Sequence, residues 1–270
     1  AAQCKRLVKI IEKAEKKDSG WSRDYAVGKW TVTYLKTLEE KNAPEDQLEE
    51  ICKKYWNNSG VRRYYIDRYF EKKEYDRVLQ VLDESIELDK AYRGQVLEYI
   101  QKKKEIYRLQ GNKSAYIEQL WKLVLEQSAG DLDIYKELKA QYSEKEWLIK
   151  REELFKKLSA NAHIDRLYKE EKLYDRLLAY VLKSSGLYAV QSYENVLKKE
   201  YPKQILSKYQ GEVNKMASCT GNRKHYADLV ALLRRMKRIK GGSEIVETIV
   251  EEWKIKYRNR PAMMDELSKL

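Results

Sequence analysis

Apolar residues along this chain recur at helical spacing. Tyr75, Val78, Leu79 and Leu82 stand at i, i+3, i+4 and i+7. Tyr174, Leu177, Leu178 and Val181 repeat the interval, as do Tyr226, Leu229, Val230 and Leu233, and Tyr116, Leu120, Leu123 and Val124 keep most of it. Such spacing places one apolar stripe on each helix, with Lys and Glu on the other side. The preceding segments carry stripes too: Val96, Ile100 and Tyr107, or Ile205, Tyr209, Val213 and Met216. A helix, a short polar turn and a second helix make an αα-hairpin. A lone hairpin leaves its stripe wet, so successive hairpins stack and share a core.

The hairpins resemble one another. Ile66-Asp67-Arg68 through Tyr75-Asp76-Arg77 matches Ile164-Asp165-Arg166 through Tyr174-Asp175-Arg176 with one inserted residue. Gly111-Asn112-Lys113-Ser114-Ala115-Tyr116 pairs with Gly221-Asn222-Arg223-Lys224-His225-Tyr226. Both pairs set a Tyr at the start of a helix, just after a polar turn. The Tyr positions lie 41, 58 and 52 residues apart, too uneven for a strict tetratricopeptide array of about 34-residue repeats. Ser143 with Glu146 forms a capping box, Pro44 and Pro202 suit first turns, and Gly60, Gly130, Gly186 and Gly241-Gly242 mark breaks. The expected fold is therefore all-α: an irregular solenoid of stacked antiparallel hairpins, similar to tetratricopeptide or HEAT arrays, with about a dozen helices. It spans residues 1–270 as a single domain, with a possible sub-boundary near 186–202 and a basic hairpin and cap over 221–270.

Composition narrows this reading. With only 3 Pro and 11 Gly, and 36% of residues charged, the chain suits long solvated helices rather than a turn-rich sheet. No run approaches the roughly 18 apolar residues of a membrane span. The opening Ala1-Ala2-Gln3-Cys4 lacks an initiator Met and a signal-peptide core, which reads as a piece of a larger cytoplasmic protein. Cys4, Cys52 and Cys219 are too few and too scattered for a disulfide framework, and each is expected as a partly buried thiol. His163 and His225 lack partners at ligand spacing, and HExxH, CxxC and nucleophile signatures are missing. Gly111-Asn112-Lys113-Ser114 lacks the upstream glycine and strand of a phosphate loop, so it is read as a turn. The expectation is a non-enzymatic protein without metal, cofactor or small-molecule substrate.

Charge suggests where a partner would bind. The net charge is +12; residues 221–260 hold 11 Lys or Arg against five acidic residues, a net of +6, which is half the excess. Arg234, Arg235, Lys237, Arg238 and Lys240, with Lys254, Lys256, Arg258 and Arg260, form a candidate patch for nucleic acid or an acidic protein. The alternative is a solvated helix face. Arg62-Arg63-Tyr64-Tyr65 interleaves cations with rings, a combination that stacks on and neutralises nucleic acid, although Tyr65 and Tyr69 also suit inter-helix packing. The chain has 22 Tyr and six Trp against two Phe, side chains favoured at binding surfaces. The leading expectation is a scaffold for a protein or peptide, with nucleic-acid binding through 221–260 as the alternative.

The last 60 or so residues carry further landmarks: Thr220-Gly221-Asn222-Arg223-Lys224-His225-Tyr226, Ile239-Lys240-Gly241-Gly242, Trp253, and Tyr257-Arg258-Asn259-Arg260-Pro261-Ala262-Met263-Met264-Asp265-Glu266-Leu267. This stretch resembles the C-terminal helical region of bacterial SWIM zinc-finger family proteins. The family's CxC and CxH halves are both missing here, so no ligand role carries over. The resemblance implies a finger lying upstream and a helical platform accessory to it. Arg260-Pro261 is expected to end an extended segment and open a short helix, whose Met263, Met264 and Leu267 cap the last hairpin or, alternatively, meet a partner.

Overall fold

The computed structural model describes residues 2–18, 20–159 and 162–270. All regular structure among the described residues is helical. The chain divides into two compact units, Ala1–Ala162 and His163–Leu270. The segment 186–202, where a sub-boundary is expected from sequence, lies inside the second unit.

The first unit holds α1 (Ala2–Glu15), α2 (Trp21–Glu39), α3 (Glu45–Lys54), α4 (Ser59–Glu71), α5 (Tyr75–Leu88) and α6 (Arg93–Leu109). After these come α7 (Lys113–Lys122), prolonged by a π-helical turn at Leu123–Gln127, then α8 (Leu132–Lys139) and α9 (Glu144–Lys157). From α1 to α8 each helix packs on the next, and α2 also reaches α4. In α9, Trp147 packs edge-on against Tyr135 at 5.3 Å. The second unit holds α10 (Ile164–Glu170), α11 (Tyr174–Lys183), α12 (Tyr188–Leu197), α13 (Pro202–Ser218), α14 (Arg223–Lys237), α15 (Gly242–Lys256) and α16 (Pro261–Leu267). Its core is continuous, running from Leu177 and Val181 through Tyr209, Leu229 and Leu233 to Trp253 and Leu267. Met263 and Leu267 are buried in it and Met264 packs against it.

Sixteen α-helices among the described residues exceed the dozen expected, because several ends carry no glycine or proline. The turns after α2, α4, α6 and α10 share one design. After α4, Lys73 adopts a left-handed conformation (φ 62°). Its amide donates to the Phe70 carbonyl at 2.9 Å, and the Glu74 amide reaches back to Tyr69 at 3.0 Å. The same pair of bonds surrounds Asn42 (φ 53°), Gly111 (φ 69°) and Lys172 (φ 55°). This is the Schellman arrangement, which satisfies carbonyls that a helix end would otherwise leave unpaired. After Lys73, Gly111 and Lys172 a single residue precedes the next helix, so both arms of the hairpin begin close together.

Aligned on these turns, Tyr69 of α4 corresponds to Tyr168 of α10, since each accepts the longer bond. The inserted residue of the sequence match therefore lies within α10 rather than in the turn. Ile164 sits one position, about 100° of helix, away from Ile66. Ile66 is buried accordingly, while Ile164 is only half-buried. The Gly-Asn pairs share a different feature. Asn112 and Asn222 are N-caps, their side chains accepting from the Ala115 amide (3.1 Å) and the His225 amide (3.0 Å). The capping box of Ser143 and Glu146 opens α9 as the sequence predicts. Pro261 opens α16, but a tight turn at 257–259, not an extended segment, joins it to α15. Cys52 is buried and Cys4 half-buried, whereas Cys219 is exposed, contrary to expectation.

Candidate functional site

The first unit opens a cleft of about 1130 Å³ between α2, the end of α3, the start of α4 and the start of α6. Its construction begins with Asn58. The side chain caps α4 by accepting from the Gly60 amide at 3.0 Å, and its Nδ2 donates to the Asp24 carbonyl of α2 at 2.6 Å. One amide thus fastens two helices together. It crosses directly over Gly28, where a Cβ would lie 2.2 Å from Asn58 Oδ1, so this crossing requires glycine.

Above the crossing, α2 exposes rings. Trp21 and Tyr25, at i and i+4, stack at 5.4 Å with planes 15° apart. They are 80% and 57% exposed, and Tyr92, just before α6, is 62% exposed. All three line the cleft with the cations Arg23, Lys29, Lys36, Lys54 and Arg63, against only Glu15, Asp24 and Asp89. Lys54 sits 4.8 Å from the Tyr55 ring, and a hydrogen bond to that tyrosine raises its pKa. Arg63 pairs with Glu98 of α6 at 2.7 Å. Arg23 Nε, Arg63 Nε and Gln95 Oε1 are shielded from solvent and find no hydrogen-bond partner among the described residues.

The cleft floor is a buried polar knot. Arg62 is fully buried. Its guanidinium donates to Asp89 at 2.5 Å, the Trp56 carbonyl at 2.6 Å and Ser85 at 3.1 Å. Tyr99 donates to the same Asp89 oxygen at 2.7 Å. Burial first, then this hydrogen bond, push the Tyr99 phenol up to about 12, so it stays a donor at neutral pH. The expected basic-aromatic cluster is therefore split. Arg62 and Tyr64 are core residues, and Arg63 alone reaches the cleft.

The expected basic patch of residues 221–260 is divided as well. Arg234 donates to the Lys269 carbonyl and Lys237 reaches the Leu270 carbonyl at 3.5 Å. Arg235 donates to Glu194 at 2.5 Å and to the Gln191 carbonyl at 3.1 Å. Arg260 lies 4.4 Å over the Tyr257 ring and donates to the Ala217 (2.7 Å), Cys219 and Ser218 carbonyls. These four cations fasten the second unit to itself. Arg238, Lys240, Lys254, Lys256 and Arg258 remain exposed, with Lys256 5.4 Å from the Tyr257 ring. Burial pushes the Glu194 carboxyl up, but donors from Tyr209 and Arg235 outweigh it and hold the carboxyl below its ordinary range.

No group of three or more His, Cys, Asp or Glu able to hold a metal occurs among the described residues. None of the described helices is long and apolar enough to cross a membrane. His225 Nε2 lies 3.1 Å from the Met216 carbonyl, bonded within the unit. Sequence reasoning missed Trp21, Tyr25 and Tyr92, though a signal existed. The buried stripe of α2 is Val27, Thr31, Leu35 and Leu38, and Tyr25 stands about 200° from Val27 on the helical wheel. Comparison of the chain with protein-family models, with curated proteins and with solved structures finds no match in any of the three.

Proposed function

We propose that this chain is a non-enzymatic helical-repeat scaffold that docks a segment of a partner protein in the cleft of its first unit. The observation that carries the reading is the exposed Trp21–Tyr25 stack, which lines a cationic cleft together with Tyr92. Trp and Tyr are among the side chains that dominate binding energy at protein interfaces, and here Trp21, Tyr25 and Tyr92 stand largely exposed. The neighbour-on-neighbour packing of hairpins supports a tetratricopeptide- or HEAT-like role, in which stacked helices present such clefts. The resemblance of the last 60 or so residues to SWIM zinc-finger proteins fits a platform accessory to a finger elsewhere. Arg234, Arg235, Lys237 and Arg260 are engaged within the second unit, which weighs against the basic 221–260 face as the main contact.

The test is display of a random dodecapeptide library on the full chain. Selected peptides should lose at least about tenfold in affinity to a Trp21→Ala, Tyr92→Ala variant. Both side chains are largely exposed, so the variant should keep its helical circular dichroism. Peptides indifferent to the substitutions, or no enrichment over an unrelated helical protein, would overturn the proposal.

A further inference from the structure

The lining of the cleft limits what can occupy it. Asp89 is already neutralised by Arg62 and Arg63 is paired with Glu98, which leaves Arg23, Lys29, Lys36 and Lys54 against Glu15 and Asp24. The surplus is positive, so a ligand must bring negative charge. Arginine guanidinium meets carboxylate or phosphate in a planar fork, which leaves two anionic classes to separate.

Two features favour the peptide over the nucleic-acid strand. Asp24, which is exposed, and Glu15 also line the cleft; a strand with one charge per nucleotide would meet both, whereas a peptide can space its acidic residues to avoid them. Finally, Val27 and Val32 also line the cleft and give it apolar surface suited to an apolar side chain.

Resting on the docking reading above, we infer that the cleft takes an acidic peptide segment. Its carboxylates face Arg23, Lys29, Lys36 and Lys54, and an apolar side chain sits against Trp21 and Tyr25. The same dodecapeptide display tests this through the composition of the selected pool. The pool should be enriched in Asp and Glu over the input library. A representative peptide should weaken about tenfold when its carboxylates become amides, and about as much against a Lys29→Glu, Lys36→Glu variant. Its affinity should also fall as NaCl is raised.

A neutral or basic pool whose binding still depends on Trp21 would overturn the acidic inference and leave the docking reading standing. Failure to select any Trp21-dependent peptide would overturn both. An oligo(dT) strand binding in a Trp21-dependent way, more tightly than any selected peptide, would replace both with nucleic-acid recognition.

Discussion

At the scale of single residues, Arg62 is the instructive case. As a string, Arg62-Arg63-Tyr64-Tyr65 reads as an exposed contact surface. On the helix, however, Arg62 stands at i, i+4 and i+7 with Ile66 and Tyr69, both buried, so it occupies a core position that its chemistry disguises. What made the position tenable lies on other helices: Asp89 at the end of α5 and Tyr99 on α6. No local pattern announces that partnership. A guanidinium left underground without its carboxylate is far costlier than the intact pair is beneficial. Asp89→Ala should therefore destabilise the first unit by about 3–5 kcal/mol, read as a shift in urea midpoint. Arg62→Met combined with Asp89→Leu should recover most of that loss; a double variant as unstable as the single would contradict the account. By contrast, Trp21 and Tyr25 were legible in principle, because they lie off the stripe of α2.

Among elements, most helix starts could be read from the chain and many helix ends could not. Pro44, Ser143, Pro202 and Pro261 mark starts by known capping chemistry, and the helices begin at or just after each. The ends after α4 and α10 close on left-handed lysines, where glycine is the usual signal. A lysine held at positive φ carries a steric cost that glycine would relieve, partly offset by the greater freedom glycine gives the unfolded chain. Lys73→Gly and Lys172→Gly should each raise stability by about 0.5–1 kcal/mol, measured by denaturant titration. A loss of stability in both would mean that the lysine side chains do more than close a turn.

Over the whole molecule, the sequence offered punctuation at Gly186 and Pro202 as the natural place for a division. The two units instead part at Ala162–His163, within Leu158-Ser159-Ala160-Asn161-Ala162-His163, which has neither glycine nor proline. One buried cluster of the second unit runs from Leu177 to Leu267. A fragment of residues 163–270 should thus show helical circular dichroism and a cooperative thermal transition by itself; a featureless, sloping melt would mean that it leans on the first unit. The neighbour-on-neighbour packing has a further consequence for how the chain is made. A helix whose partner is the next helix in line finds that partner within a few seconds of synthesis, at roughly 5–20 residues per second. The α1–α2 hairpin can close while α5 is still being translated, and the cleft can be assembled before the ribosome reaches the second unit. Little apolar surface then waits uncovered, and the growing chain asks correspondingly little of chaperones.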